Sequence, residues 1–287
     1  MANAPCLGRS ACIGAALAAA LASTMAGARA DDAMKYPDWE GQWQRIGGGG
    51  QFDPSKPPGP GQHPPLTPKY QAVWEANLKE QAAGGQNYNS QVHCLPGGVP
   101  RMMMALEPVE FIITPKTTYV ASTVSDEFRR IYTDGRDWPN NVESSFSGYS
   151  IGKWIDEAGD GRYDVLEVET RDLRGPRQFD SSGIPMADDN QTVVKERIYL
   201  DKSNPNVMHN RIMTMDTALT EPWTVTRDYG RTRNPVWLEN VCAESNQYVF
   251  IGGRTYLVSV DGFLMPTRKD QPPPDLKFFK PPAKTPQ

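Results

Sequence analysis

A chain of 287 residues with 30 Lys and Arg against 34 Asp and Glu, 38% hydrophobic and 22% charged, is neither collagenous, low-complexity nor a multi-span membrane protein. It holds no Lys/Arg stripe, which argues against nucleic acid and anionic membrane surfaces as partners. Twenty-six prolines and 25 glycines exceed average usage and cluster, so the folded part must be shorter than the chain.

Residues 1–30 contain no acidic residue, carry Arg9 ahead of an apolar run over 11–22, and end in Ala28-Arg29-Ala30 before Asp31-Asp32. That is the pattern of a cleaved signal peptide, and it predicts a periplasmic or secreted protein whose mature chain starts near Asp31. The apolar run is too short and too weakly hydrophobic for a membrane anchor, so no integral span is expected in the mature chain. Arg9 and Arg29 are the basic residues of that segment, so 28 of the 30 remain against 34 acidic ones, a net charge of -6. Cys94 and Cys242 also remain. An even, well-separated pair in an oxidising compartment reads most simply as one disulfide, with two free thiols or a metal pair as the alternative.

Residues 31–68 form a Gly/Pro-rich N-terminal segment, with seven prolines between Gly47 and Pro68 that deny both helix and sheet ladder. A short helix is predicted over 69–83, with Thr67 as N-cap, Pro68 at the first helical position, and Tyr70, Val73, Trp74 and Leu78 on a packing face. Residues 69–270 read as a single β-barrel-like domain led by this helix, and 271–287 as a Pro-rich tail. Strands are predicted over 109–114, 117–124 and 127–133, then around 152–155, 163–170, 192–200, 207–215 and 223–229, with the clearest hairpin over 248–260 around Gly252-Gly253. In the 163–170 stretch Leu166, Val168 and Thr170 alternate with Glu167 and Glu169, implying one buried and one wet face. About ten strands with one helix predict a mainly β protein, an antiparallel meander forming a closed or partly open barrel, because closure removes exposed edges.

Gly148-Tyr149-Ser150-Ile151-Gly152 matches the G-x-S-x-G nucleophile elbow, with Asp189 and His209 following in triad order. That mechanism needs a strand before the Ser and a helix after it, whereas residues 152 onward read as strand, so a bend with small residues at a strand start is the preferred reading. His93 beside Cys94, with Met102-Met103-Met104, offers soft copper ligands, but a Met triplet more often fills a core gap, and no metal or cofactor is assigned. Asp156, Asp160, Gly161 and Asp164 lack the ligand alternation of a calcium loop and read as a hairpin turn.

Residues 129–138 pair guanidiniums with carboxylates and rings, either as a ligand contact or as a structural salt-bridge turn. His93 lies in the Gly/Pro-shaped loop that ends at Arg101 and is the candidate general acid or base if the protein is an enzyme.

The segments Cys94-Leu95-Pro96-Gly97-Gly98-Val99-Pro100-Arg101, Arg129-Arg130-Ile131-Tyr132-Thr133-Asp134-Gly135-Arg136, Gly148-Tyr149-Ser150-Ile151-Gly152-Lys153-Trp154 and Leu166-Glu167-Val168-Glu169-Thr170 together resemble a family of uncharacterised secreted β-rich proteins of Gram-negative bacteria. Members usually place a Gly-Asp-Thr-Leu hairpin after the Gly-x-Trp strand, where residues 156–163 make a longer turn here. The resemblance implies export and a β-rich body and carries no catalytic residue over. Gly41-Gln42-Trp43 is also similar to the Gly-x-Trp first strand of lipocalins and related calycin barrels.

These readings lead to a β-barrel that binds an apolar or amphipathic small molecule in its mouth or interior, with Arg101, Arg130, Tyr132, Trp138, Tyr149 and Trp154 as candidate contacts. The alternatives are a cofactor-free isomerase, lyase or hydrolase using His93 on the same barrel, and an envelope-associated interaction protein using its Pro-rich segments.

Overall fold

The computed structural model describes residues 35–48, 50, 52–53, 55–57, 62–83, 91, 94–123, 127–237, 241–242, 248–252, 254–259, 262–275 and 277. The expected signal peptide, His93 and most of the Pro-rich tail lie outside them.

Nine strands form a closed barrel in sequence order: β1 (Gln42–Arg45), β2 (Val109–Ile113), β3 (Thr117–Ser122), β4 (Glu127–Tyr132), β5 (Tyr149–Ile155), β6 (Val165–Arg171), β7 (Val193–Leu200), β8 (Val207–Met215) and β9 (Trp223–Thr232). Closure comes from β1, which pairs antiparallel with both β2 and β9. The mainly β class and the antiparallel meander closing into a barrel therefore stand, with one parallel pair in the ring. Strands β4 and β5 pair in parallel, Ile131 opposite Ser150 and Tyr132 opposite Ile151. The reason is parity: nine strands alternating in direction cannot close a ring without one like-directed pair. Residues 133–148 carry the chain back along the outside to make it, since parallel strands need a long connection.

Alternation then sorts every strand into a lumenal and an outer face. Val120, Arg129, Ile131, Leu166, Val168, Ile198, Met208, Ile212 and Val225 turn inward and are buried. At the end where β1 begins, Trp39 packs on Phe111 and Trp154 with ring centroids 5.0 and 4.9 Å apart. Trp43 on β1 donates from its Nε1 to the Trp39 carbonyl at 3.0 Å and carries the Arg231 guanidinium over its ring at 4.4 Å. So the first strand falls at Gln42–Arg45, ahead of the Pro-rich run, and brings the Gly-x-Trp tryptophan into the core.

The opposite end is closed by the long β1–β2 connection and by residues 172–192 between β6 and β7. The connection holds α1 (Pro68–Ala82) and a single turn, α2 (Arg101–Met104). Helix α1 starts at the expected proline, although Thr67 caps it through extended backbone rather than its hydroxyl. Its buried residues are Trp74 and Asn77, while Val73 and Leu78, expected to pack, are exposed. Met102, Met103 and Met104 are all buried in the core, as gap-filling thioethers do.

The hairpin around Gly252 exists as β10 (Tyr248–Ile251) and β11 (Arg254–Val258), but with β12 (Leu264–Pro266) it forms a separate three-stranded sheet outside the barrel. Arg268 beyond it reaches Glu80 of α1 at 3.2 Å. Cys94 and Cys242 form the expected disulfide across 148 residues, tying the β1–β2 connection to the chain leaving β9. No described helix is long and apolar enough to cross a membrane.

Candidate functional site

The lumen is apolar at both ends and polar between. Arg129 of β4 donates from Nε to Ser150 at 3.0 Å and from Nη2 to Thr170 at 2.7 Å, and it pairs with Glu196 of β7 at 2.5 Å. The second Glu196 oxygen accepts from the Asn210 amide at 3.0 Å, and Ser150 and Thr170 share a bond of 2.8 Å. Five adjacent strands, β4 to β8, thus contribute to one buried network. Ion pairs this deep repay their desolvation only when such additional bonds satisfy them.

Towards the plugged end, Glu127 of β4 accepts the amides of Gly97 and Gly98, the latter at 2.9 Å. Burial pushes its carboxyl above the ordinary range, against the pull of the Gly98 and Gly97 amides and the nearby Arg101 charge. Gly98 is required twice over: its φ is +65°, and a Cβ there would run into the Phe146 carbonyl. The last two carbonyls of α2 would be orphaned in the core. Tyr229 donates to that of Met103 at 2.5 Å and Arg45 to that of Met104 at 2.6 Å, so the barrel wall caps the turn that plugs it.

The candidate ligand contacts divide into three places. Tyr132, Trp138 and Tyr149 do come together, on the outer wall where β4 meets β5. Tyr132 stacks on Tyr149 at 5.0 Å, with Trp138 6.1 Å from the same ring. Two cations complete the cluster, Arg136 of the 129–138 stretch over the Tyr132 ring at 3.8 Å and Arg171, not singled out from sequence, over Trp138 at 4.2 Å. Arg136 also forms an ion pair with Asp134 at 2.7 Å, the expected salt-bridge turn.

Arg130 shares this outer face but lies over Phe128, 6.0 Å from its ring, away from the cluster. Trp154 points into the lumen among Tyr36, Trp39 and Tyr163. Arg101 is buried in the plug, donating to Gln178 at 2.9 Å and to Gln91. His93 lies outside the described residues.

Along the same wall a concavity of about 420 Å³ crosses β5 to β8. Its rim includes Ile151 and Met213 with Lys153, Glu167, Glu169, Lys195, Arg197 and Arg211. Ile151 follows Tyr149 by two residues on the outer face, and Arg171 of the aromatic cluster pairs with Glu169 at 2.5 Å, so cluster and concavity adjoin. Arg197 sits directly opposite Arg211 across β7 and β8, an arrangement that repels. Glu167 and Glu157 take up the Arg197 charge at 2.6 and 2.5 Å, and Glu169 takes up that of Lys195 at 3.2 Å. Among the described residues Lys153 and Arg211 have no ion-pair partner. A second concavity of about 380 Å³, near the β5–β6 and β7–β8 turns, is edged by Asp38 and Asp201. These carboxylates are already engaged, Asp38 by Arg231 and Arg233 and Asp201 by Ser203 and His209.

The G-x-S-x-G segment is a strand start. Ser150 faces the lumen and is spent on Arg129 and Thr170, and no helix follows it. Both glycines have packing reasons. Gly148 has φ +63° against the Arg171 carbonyl, and a Cβ on Gly152 would come within 2.6 Å of the Ile131 side chain. His209 lies on the outer face, Nδ1 at 2.7 Å from Asp228 and Nε2 at 3.2 Å from Asp201, and does not approach Ser150. In the 156–164 turn, Asp156 accepts the amides of Gly159, Asp160 and Gly161 at 2.6, 3.1 and 2.8 Å, as a hairpin turn demands.

Burial alone would lower the His209 pKa, but the hydrogen bonds its ring donates to Asp228 and Asp201, and their charges, outweigh it and hold it above the usual value. A raised folded pKa means the contribution is complete below pH ~6.5 and fades as pH rises through the folded value. His209→Asn should therefore cost at most about 1 kcal/mol at pH 5.5 and less at pH 9, measured by urea unfolding at both. A cost that grows with pH would contradict this pairing.

Neither a scan against protein-family models nor a search of curated protein sequences returns a match to this chain. The functional reading therefore rests on the geometry above.

Proposed function

We propose that this is a periplasmic or secreted β-barrel that binds an amphipathic small molecule on its outer wall, across β5 to β8. The observation that carries the reading is the 420 Å³ concavity adjoining the Tyr132, Trp138 and Tyr149 rings. Its volume falls within the range of small-molecule sites, which pair apolar surface with a few placed charges. Ile151 and Met213 offer the apolar contact, and Lys153 and Arg211 offer cationic charge without an internal carboxylate partner among the described residues. The rings and the guanidiniums of Arg136 and Arg171 favour an aromatic, acidic ligand through stacking and cation–π contact. The lumen is a less suitable container, because its wall residues pack on one another and α2 fills one end. Export is supported by the character of residues 1–30 and by the resemblance to secreted proteins.

The amphipathic aryl sulfonate 1-anilinonaphthalene-8-sulfonate is a suitable probe. Tyr149→Ala and Met213→Asp should each weaken its binding about tenfold, a loss of about 1.4 kcal/mol, while Phe128→Ala on the wall across β4 should leave it unchanged. Equal affinity in all four proteins would overturn the reading.

A further inference from the structure

The charges of the outer concavity follow the register of the strands. One rung of direct cross-strand neighbours runs Lys153, Glu167, Arg197, Arg211 across β5 to β8, and the next runs Ile151, Glu169, Lys195, Met213. All eight line the concavity of about 420 Å³. The middle of both rungs is closed on itself. Arg197 pairs with Glu167 at 2.6 Å and Glu157 at 2.5 Å, and Glu169 pairs with Lys195 at 3.2 Å and Arg171 at 2.5 Å. The ends of the first rung differ. Lys153 lies opposite Glu167, and Arg211 lies between Arg197 and Thr226, but neither forms an ion pair among the described residues. Asp228, one rung further along β9, is held by His209 at 2.7 Å. Glu196 also lines the floor, but its carboxylate turns into the lumen to Arg129. The outer face of the groove therefore sets four cations against Glu167 and Glu169, and the two in excess stand at opposite ends. Each has an apolar neighbour on the same face, Ile151 two residues before Lys153 and Met213 two residues after Arg211. Three inter-strand steps of ~4.8 Å separate the two ends, roughly 14 Å along the rung.

We propose, resting on the outer-wall reading above, that the ligand of this groove is a small organic dianion with its acidic groups at opposite ends, one held by Lys153 and the other by Arg211. Its uncharged body lies across the paired middle, past Ile151 and Met213. A monoanion leaves one of the two cations uncompensated, and two acidic groups set close together reach only one end. The ion-paired middle offers no net charge to a third acidic group, while the methylene stems of Lys195 and Arg197 give the body apolar surface to lie on. Arg211 receives a planar two-oxygen anion on its donor fork, and Lys153 acts as a point charge.

Isothermal titration at fixed ionic strength with dodecanedioate, its monomethyl ester and hexanedioate tests this. The long diacid isolates the charge requirement from the ring contacts, the half-ester keeps its length with one charge, and hexanedioate keeps both charges but is too short to span the groove. Dodecanedioate should bind about fivefold tighter than either, the size of an exposed ion pair. Lys153→Gln and Arg211→Gln should each weaken it about fivefold and abolish its advantage over the half-ester, with thermal melts confirming that both are folded. Lys116→Gln, which removes the same charge from the β2–β3 turn, should change nothing. Equal affinity for diacid and half-ester, loss in only one of the two groove variants, or an equal loss in Lys116→Gln would each overturn the proposal. The singly charged 1-anilinonaphthalene-8-sulfonate separates the two failures. If it still binds in a Tyr149-dependent way, the outer-wall reading stands without the dianion; if neither it nor the diacid binds, both fall together.

Discussion

Replacing Arg129 with Met will cost the fold about 3–5 kcal/mol, because it strands the Glu196 carboxylate in the lumen with only the Asn210 amide for company. Ser150 and Thr170 would lose their shared donor as well, though their mutual bond of 2.8 Å survives. The double change Arg129→Met with Glu196→Met removes both charges and should return to within about 2 kcal/mol of the parent, since desolvation of the ion pair disappears with it. Urea unfolding of the two variants gives the comparison. A single variant that loses less than about 1 kcal/mol would mean that water reaches this layer, and the packed lumen would have to be abandoned.

The second large effect concerns the covalent tie. Cys94 and Cys242 close a loop of 148 residues, which in the chain-entropy model confers roughly 5 kcal/mol; native disulfides typically confer about 2–5 kcal/mol. Changing both to Ser should therefore lower the melting temperature by about 5–20 °C for a chain of this size. Wild type should show a similar drop once strong reductant has opened the disulfide, and the variant should no longer respond to reductant at all. A parent protein that melts at the same temperature with and without strong reductant would show that the bond does not constrain the fold.

Most of the barrel was legible because alternation is a local signal. Eight of its strands, β2 to β9, follow the runs of β-branched and aromatic residues, and Leu166, Val168 and Thr170 face inward as their spacing requires. The parallel β4–β5 pair was not legible, since no residue in either strand records which neighbour it will meet. It follows from closing a ring with an odd number of strands, a property of the whole chain. The separate sheet of β10 to β12 was hidden for the same reason: its hairpin has a strong turn signal but none that says which sheet it joins.

The site was half legible. Tyr132 and Tyr149 sit on the outer face of adjoining strands and meet there. Trp154 belongs with them as a ring at the same end of the meander, but five positions separate it from Tyr149 and an odd interval on a strand puts the two on opposite faces. The same parity separates Arg129, which faces the lumen, from Arg130, which faces outward. Arg101 belongs to a plug formed by the last turn of a 63-residue connection between β1 and β2, whose path no local pattern predicts. Glu196 and Arg45 carry no such signal, because a charged residue at an inward strand position looks like any other until the barrel closes around it.

Everything proposed for this protein turns on the outer wall across β5 to β8 taking up a small molecule. The most direct test is to titrate the isotopically labelled mature protein with 1-anilinonaphthalene-8-sulfonate and follow backbone amide shifts residue by residue. Saturable shifts are expected centred on Tyr149, Ile151, Lys153, Glu169, Lys195 and Met213, with the β2 to β4 wall around Ile112 and Phe128 unmoved. Shifts centred on that opposite wall, or none at saturating probe, would contradict it.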